Sequence, residues 1–507
     1  MIVKRVLATA PKFDRAPTMS TASITSAIDA PAAEEDNDGR LLSAIALSSD
    51  YDSAAKPEKR ASLSSCVSNL ANTILGAGML GLPHAFAMAG FVPGFLMLLI
   101  FGAFSSLGLH LLSEAADRAG RPASFYGVAE AALPGAGVAI DIAIGVKCFG
   151  VATSYLIVIG DSMPLALDAF GATGAALNRR LWTLTAALVV APLTYLRRID
   201  GLKFTSTVAL VCVLFVVLLV FLFATRVSPE FESCNPSPPA LPPMLPPLPP
   251  LSPPKPPSAP PLPPTSPPCR LPTVASAPIL SVLEAVPIFV FSYTCHQNII
   301  SITNELLLPT PSRTNRLIAT SVLAALAVYL LISLSGYLTF GPVVASDVLA
   351  TYPSSALVAI ARLAISIVVT FSYPLQSHPS RGCIISLITR ARKRFGSLPP
   401  TSAGADGTPS LFLHVIVTTA FLVFSTAIAL SVDDLGVVLS FVGATGSTIV
   451  SYILPGGTYY LLCRKEERSG VIGAGGGKWR IGLLQLGLGC VLMPLSLTLI
   501  VVKLARQ

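Results

Sequence analysis

The chain is a series of apolar blocks, each near or above the ~20 residues that carry an α-helix across ~30 Å of hydrocarbon, with polar connections between them. Of its 507 residues 52% are hydrophobic and 12% charged, roughly half the charge of an ordinary soluble domain, so the solvent for most of the chain is lipid. Lipid satisfies no free backbone amide or carbonyl, and blocks this long answer that demand as helices. The predicted fold is an all-α membrane protein of about eleven transmembrane helices. The spans are expected at Cys66–Ala89, Val92–Leu112, Val138–Met163, Leu181–Leu196, Phe204–Ala224, Val274–Ile302, Leu317–Phe340, Ala356–Ser377, Leu411–Leu430, Leu435–Leu462 and Ile481–Val502. The fourth is short, and Ser124–Leu133 reads as a separate interfacial helix before the third.

A formal charge of +8 raises nucleic acid as a partner, but the basic residues stand singly and in pairs between apolar blocks, with no stripe interleaved with stacking aromatics. No nucleic-acid partner is expected. The distribution reads as topology, because Lys and Arg translocate poorly and collect on the cytoplasmic side. They gather in alternate connections: Arg118 and Arg121; Arg197, Arg198 and Lys203; Arg313 and Arg316; Arg381 to Arg394; Arg464 to Arg480. The N-terminus is therefore predicted to be cytosolic. Residues 1–63 have no sustained period and read as a disordered cytosolic tail, with residues 64–507 as the membrane domain. No cleavable secretory signal is recognised; Lys4, Arg5, Lys12 and Arg15 give the tail a faint likeness to a transit peptide as the alternative.

Residues 227–273 are dominated by Pro, which lacks a backbone donor and favours polyproline II, so they are predicted to form an extended extracytosolic loop. Cys234 and Cys269 bracket it, and in an oxidising compartment a disulfide is expected to close it, two free thiols being the alternative. The other cysteines lie in spans or at their ends without metal-ligand spacing, and no metal site is predicted.

Two spans are interrupted. In the first, Gly76, Ala77 and Gly78 fall in mid-hydrocarbon with Pro83 beyond them. Gly costs about 1 kcal/mol relative to Ala in a helix interior and Pro about 3, so a helix is expected to unwind or kink here. In the sixth, Pro287 precedes the polar run Ser292, Tyr293, Thr294, Cys295, His296. Unwound backbone at membrane depth must line a polar cavity or be covered by protein. Paired interruptions at corresponding places of two five-helix halves mark a carrier built from inverted repeats, with its site between them at the midplane. Half-helix N-termini offer positive dipole ends to an anionic group, and half-helix C-termini offer carbonyls to a cation. A zwitterion such as an amino acid matches both. Small residues also serve close helix packing, which is the competing reading of either span taken alone.

The stretch NLANTILGAGMLGLPHAFAMAGF, from Asn69, resembles the first-span signature of the amino acid/auxin permease family, which includes sodium-coupled neutral amino acid transporters and vacuolar amino acid transporters. FGVATSYLIVIGD to Asp161, FSYTCHQNIISITNEL, SGYLTFG to Gly341, DVLATYP from Asp347 and ARLAISIVVTFSYPLQSHPSR from Ala361 extend the resemblance over roughly Ser64 to Val502. It implies two inverted five-helix repeats with helices 1 and 6 broken, plus one extra helix, and secondary transport of amino acids coupled to sodium or protons. Carried over by position, it implies cation and substrate coupling at Asn72 and cation-facing hydroxyls at Thr370 and Ser372, the alternatives being an interhelical bond for Asn72 and bonds to the i−4 carbonyl for the hydroxyls. The FSYPLQSHPSR segment is closer to vacuolar-type members, which leaves a proton open as the coupling ion. The expected membrane is vacuolar or lysosomal in type, or the plasma membrane.

Ionisable groups within spans are functional suspects by default. His296, in the sixth-span break, is a candidate proton-sensitive group, the alternative being a neutral imidazole hydrogen-bonded beside the break. Lys147, Glu284 and Arg362 are gating or charge-pair candidates, with structural ion pairing as the alternative: Lys147 as a resident ammonium in place of a cation, Glu284 paired with either of the others, and Arg362 near the outer end of its helix, where simple snorkelling is the alternative to a gating role. No HExxH, no phosphate-cradling loop and no paired intramembrane carboxylates occur, so neither an enzyme nor a cofactor is expected. A transporter-like amino acid sensor is the alternative function. Oligomeric state stays open.

Overall fold

A computed structural model of the chain describes residues 61–196, 203–225, 277–394, 411–470 and 477–506. Cys234, Cys269 and the whole Pro-rich segment 227–273 lie outside the described residues, as does the tail up to residue 60. Among the described residues nine helices are long and apolar enough to cross a membrane. Two further spans complete the predicted eleven. The first is a pair of half-helices, Leu63–Ile74 and Gly78–Ala89, and the fourth is Arg179–Thr194, at 16 residues as short as its apolar block implies. The interfacial helix appears at Phe125–Ala132, capped by Ser124 Oγ, which accepts from Gly127 N at 3.0 Å.

Several helices outrun their apolar blocks. The third runs Gly137–Asp168 and the eighth Ala356–Arg394, 39 residues where the hydrophobic signal ends near Ser377. Hydropathy reports only the stretch in contact with lipid, whereas the helix continues into polar sequence, and Pro374 and Pro379 lie inside it without ending it. Helix starts follow side-chain chemistry: Asn178 Oδ1 accepts from Arg180 N at 2.9 Å, and Thr310 Oγ1 accepts from Arg313 N with Pro311 in the first turn.

Two packed pairs organise the bundle. Gly78–Ala89 lies against Ile279–Ser292, and span 3 lies along span 8. Spans 1 and 6, and spans 3 and 8, are mates under a five-helix repeat, so both pairings join equivalent elements of the two halves. The tenth span, Leu435–Arg468, is widened by π-helical turns at Gly443–Ser447 and Ile449–Ile453. Their glycines allow close backbone approach: a Cβ at Gly443 would collide with the Pro287 carbonyl of span 6, and one at Gly446 would lie 2.6 Å from Lys147 Cβ of span 3. Such turns concentrate at functional sites.

Arg381 of span 8 is 5% exposed and holds the end of span 4, donating Nη1 to Thr194 O at 2.7 Å and Nη2 to Leu196 O at 3.3 Å. A cation at these last carbonyls complements the helix dipole. Arg381→Leu is expected to cost about 2 kcal/mol, read as a lower thermal midpoint in detergent, because buried carbonyls lose a charged donor.

Candidate functional site

The first break comprises Leu75, Gly76 and Ala77, and the sixth Tyr293, Thr294 and Cys295. Each lies within a residue or so of its expected place. They face one another. A Cβ at Gly78 would lie 2.9 Å from Ser292 Cα, and Ser292 Oγ lies 3.2 Å from Gly78 O while bonding Ile288 O at 2.8 Å.

A residue the sequence reading did not single out joins the two breaks. The Tyr329 hydroxyl, from span 7, lies 2.6 Å from Ile74 O and 2.6 Å from Ser292 O, the carbonyls that end the two leading half-helices. Its ring stands edge-on to Tyr293 at 5.2 Å between centroids. Tyr155 of span 3 sits over the first break, its hydroxyl 3.0 Å from where a Cβ on Gly76 would be, and it lies beside Gln376 of span 8. Polar groups thus converge on both breaks from spans 3, 7 and 8, in a region otherwise apolar. The signal available for these residues was a lone hydroxyl or amide in an apolar helix, which packing aromatics also give.

The sixth break is covered from the other side. Ser105 Oγ of span 2 donates to Tyr293 O at 3.0 Å. His296, fully buried, opens the second half-helix with Nε2 3.1 Å from Ser105 O and Nδ1 3.0 Å from Ser451 Oγ of the π-helical turn. Ser451 Oγ is also 3.2 Å from Thr294 Oγ1, which donates to Val290 O at 2.6 Å. The carbonyl acceptor assigns the proton to Nε2, leaving Nδ1 to accept from Ser451. Gln485 of span 11 closes the cluster, donating to Phe104 O and Ser451 O, both at 3.0 Å.

The remaining candidates are dispersed. Asn72 and Ala77 are buried in and beside the first break. Thr370 Oγ1 donates to Ser366 O of its own helix at 2.6 Å, and Ser372 is buried one turn before Gln376, on the face that reaches Tyr155. Lys147 is 2% exposed and lies in electrostatic range of Cys295 and His296, so its ammonium belongs to the sixth-span break and the π-helical turn. Among the described residues no ion pair joins Glu284 to Lys147 or Arg362. Arg362 does not snorkel: it is 1% exposed and donates to Leu165 O, Leu349 O and Tyr352 O. The loop before span 8 folds back over it, which depth along a helix does not reveal.

Two mutually packed broken helices in pseudo-equivalent positions define an inverted-repeat transporter. The structure of MhsT in complex with L-phenylalanine has the same fold, with a TM-score of 0.51 at 11% identity over 88% of this chain and 99% of that one. The chain belongs to the transmembrane amino acid transporter family, whose profile matches residues 59–233 and 270–471. It is 35% identical to vacuolar amino acid transporter 5 of Schizosaccharomyces pombe, over 81% of this chain and 87% of the relative. It is 26% identical to sodium-coupled neutral amino acid symporter 2 of Danio rerio, over 87% of this chain and 82% of the relative. The family is one of multi-pass membrane transporters and not of enzymes.

Proposed function

We propose that the protein is a secondary active carrier of neutral L-amino acids, working by alternating access with a proton or sodium ion as the coupled species and, of the two, the proton as the better fit. The observation that carries this reading is the pair of opposed breaks joined by the Tyr329 hydroxyl. Met79 N and Leu80 N already donate to Gly76 O and Ala77 O, so it is the positive dipole end of Gly78–Ala89 that faces a substrate carboxylate, while the carbonyls ending Leu63–Ile74 and Ile279–Ser292 meet its ammonium. Asn72, Gly76, Ala77, Gly78, Ser292, Tyr293 and Thr294 form this cradle. A site that balances one charge of each sign with backbone dipoles favours a side chain carrying no charge of its own.

Support for the proton comes from two places. The Thr370 hydroxyl is committed to its own helix, which weakens the hydroxyl set a sodium ion would need. The Ser451 hydroxyl lies within hydrogen-bond distance of both Thr294 Oγ1 and His296 Nδ1, so its one proton can serve either, a polar relay beside the sixth break and near Lys147. Likeness to the vacuolar transporters supports a vacuolar-type membrane, and the alternation of basic connections supports a cytosolic N-terminus. In proteoliposomes, radiolabelled neutral amino acid uptake is expected to survive replacement of sodium by choline and to fall at least severalfold when the pH gradient is collapsed. Indifference to both treatments sinks the coupled-carrier reading, and dependence on sodium alone moves the ion to Thr370 and Ser372.

A further inference from the structure

Residues 341–355, between spans 7 and 8, fold back as a lid over the bundle end where Gly78–Ala89, span 3 and span 8 meet. Three spans hold it. His84 Nδ1, from the first, lies 3.0 Å from Val344 O. Arg362, from the eighth, donates Nη2 to Leu349 O at 2.9 Å and to Tyr352 O at 2.6 Å. Ser346 packs on Gly436 at the start of the tenth, where a Cβ would lie 3.0 Å from its own.

Asp347 sits within this lid, 4% exposed. Its Oδ1 accepts from Leu349 N at 2.9 Å, and its Oδ2 is buried with no hydrogen-bond partner. An ionised carboxylate with a bare buried oxygen is costly, and a proton on that oxygen removes the charge. The surrounding charges do not supply a substitute. Arg362 spends its donors on carbonyls, and Asp161 of span 3 adds like charge. Asp434 of span 10 is taken by Gly436 N at 2.8 Å, and Asp168 of span 3 by Ser354 Oγ at 3.1 Å.

We propose that Asp347 Oδ2 is a proton-binding site that latches the lid: protonated, the lid lies closed over the bundle end, and loss of the proton to water releases it. Burial pushes the Asp347 carboxyl up to about 7 from the ordinary value of 3.8, with Asp161 adding to it and outweighing the opposing pull of the Leu349 and Ala350 amides and the Arg362 guanidinium. The closed lid therefore holds a proton that the open, hydrated lid has given up. Its advantage is complete below about pH 4 and is lost as pH rises through about 7. Between pH 5.5 and 7.5 the closed-to-open ratio changes about twentyfold. The latch rests on the carrier reading only for its compartment: with a cytosolic N-terminus the lid faces the lumen, so an acidic lumen closes it, whichever ion is coupled.

Amide hydrogen exchange of residues 344–352, corrected for intrinsic rates, tests it on the wild-type chain. Protection is expected to fall about twentyfold from pH 5.5 to 7.5, and pH-independent protection overturns the latch. Asp347→Asn, which keeps a side-chain acceptor for the Leu349 amide, is expected to protect the lid equally at both pH values and to lose any inflection near 7 in uptake against lid-side pH. An unchanged inflection in the variant also overturns it. No amino acid uptake by either protein, with lid protection still pH-dependent, sinks the carrier reading and leaves the latch standing.

Discussion

Gly78→Leu is expected to reduce amino acid uptake by between about fivefold and about 150-fold while the chain still inserts in the membrane. A side chain at this position meets the Ser292 Cα at 2.9 Å, its Oγ at 3.0 Å and Phe291 Cδ1 at 3.2 Å. Of these only the hydroxyl can turn away; the Cα belongs to the last residue before the sixth break. Relief therefore separates the two breaks, at a cost of about 1–3 kcal/mol for a well-packed core, the upper end of which is a factor of about 150. Insertion is unaffected because Leu is as lipid-compatible as any residue and the other spans keep their apolar length. Uptake in proteoliposomes, normalised to protein recovered as a monodisperse peak, checks this. Normal uptake would place the substrate elsewhere.

Tyr329→Phe removes one oxygen atom and is expected to lower uptake by tenfold or more. The ring keeps its edge-on contact with Tyr293, so packing is preserved and the effect isolates the hydroxyl. Its loss deprives Ile74 O and Ser292 O of their shared donor, and an unsatisfied buried polar group costs about 1–3 kcal/mol. The informative measurement is the split between maximal rate and apparent affinity. A carbonyl pair that serves the substrate ammonium shifts affinity, whereas a pair that only stiffens the breaks shifts thermal stability with little change in affinity. A variant identical to wild type in all three would show that water replaces the hydroxyl and that the clasp is not needed.

The architecture was legible because it is imposed by the solvent: an apolar block of fixed length has one way to cross lipid, and even the short fourth span followed from its block. The breaks were legible to within about a residue. The first begins at Leu75 because glycine marks where another backbone approaches closely, which is not the same residue as the one where the hydrogen-bond ladder stops, and the sixth begins at Tyr293, inside the polar run that marked it. What surrounds the breaks was not legible. Tyr155, Tyr329, Ser105 and Ser451 are single polar residues in apolar helices, and only the fold decides which of many such residues meet. The π-helical turns of span 10 look in sequence like small residues in a plain helix. Arg362 was misplaced for a related reason, since its burial depends on a loop returning over it and not on its own position along span 8.

One feature of the bundle has a mechanical consequence. Ala61 donates its amide to Glu305 O at 2.8 Å and accepts from Leu307 N at 2.9 Å, so the entry to the first span is stitched to the exit of the sixth. Two parallel hydrogen bonds at the far tips of Leu63–Ile74 and His296–Glu305 make those half-helices a doubled lever with pivots at the two breaks. Neither arm swings far without dragging the other or snapping the stitch. Under the proposed alternating access, opening on that side is a two-armed stroke with a detent, and the ease of the stroke is set at its tips, some three turns of helix away from the pivots.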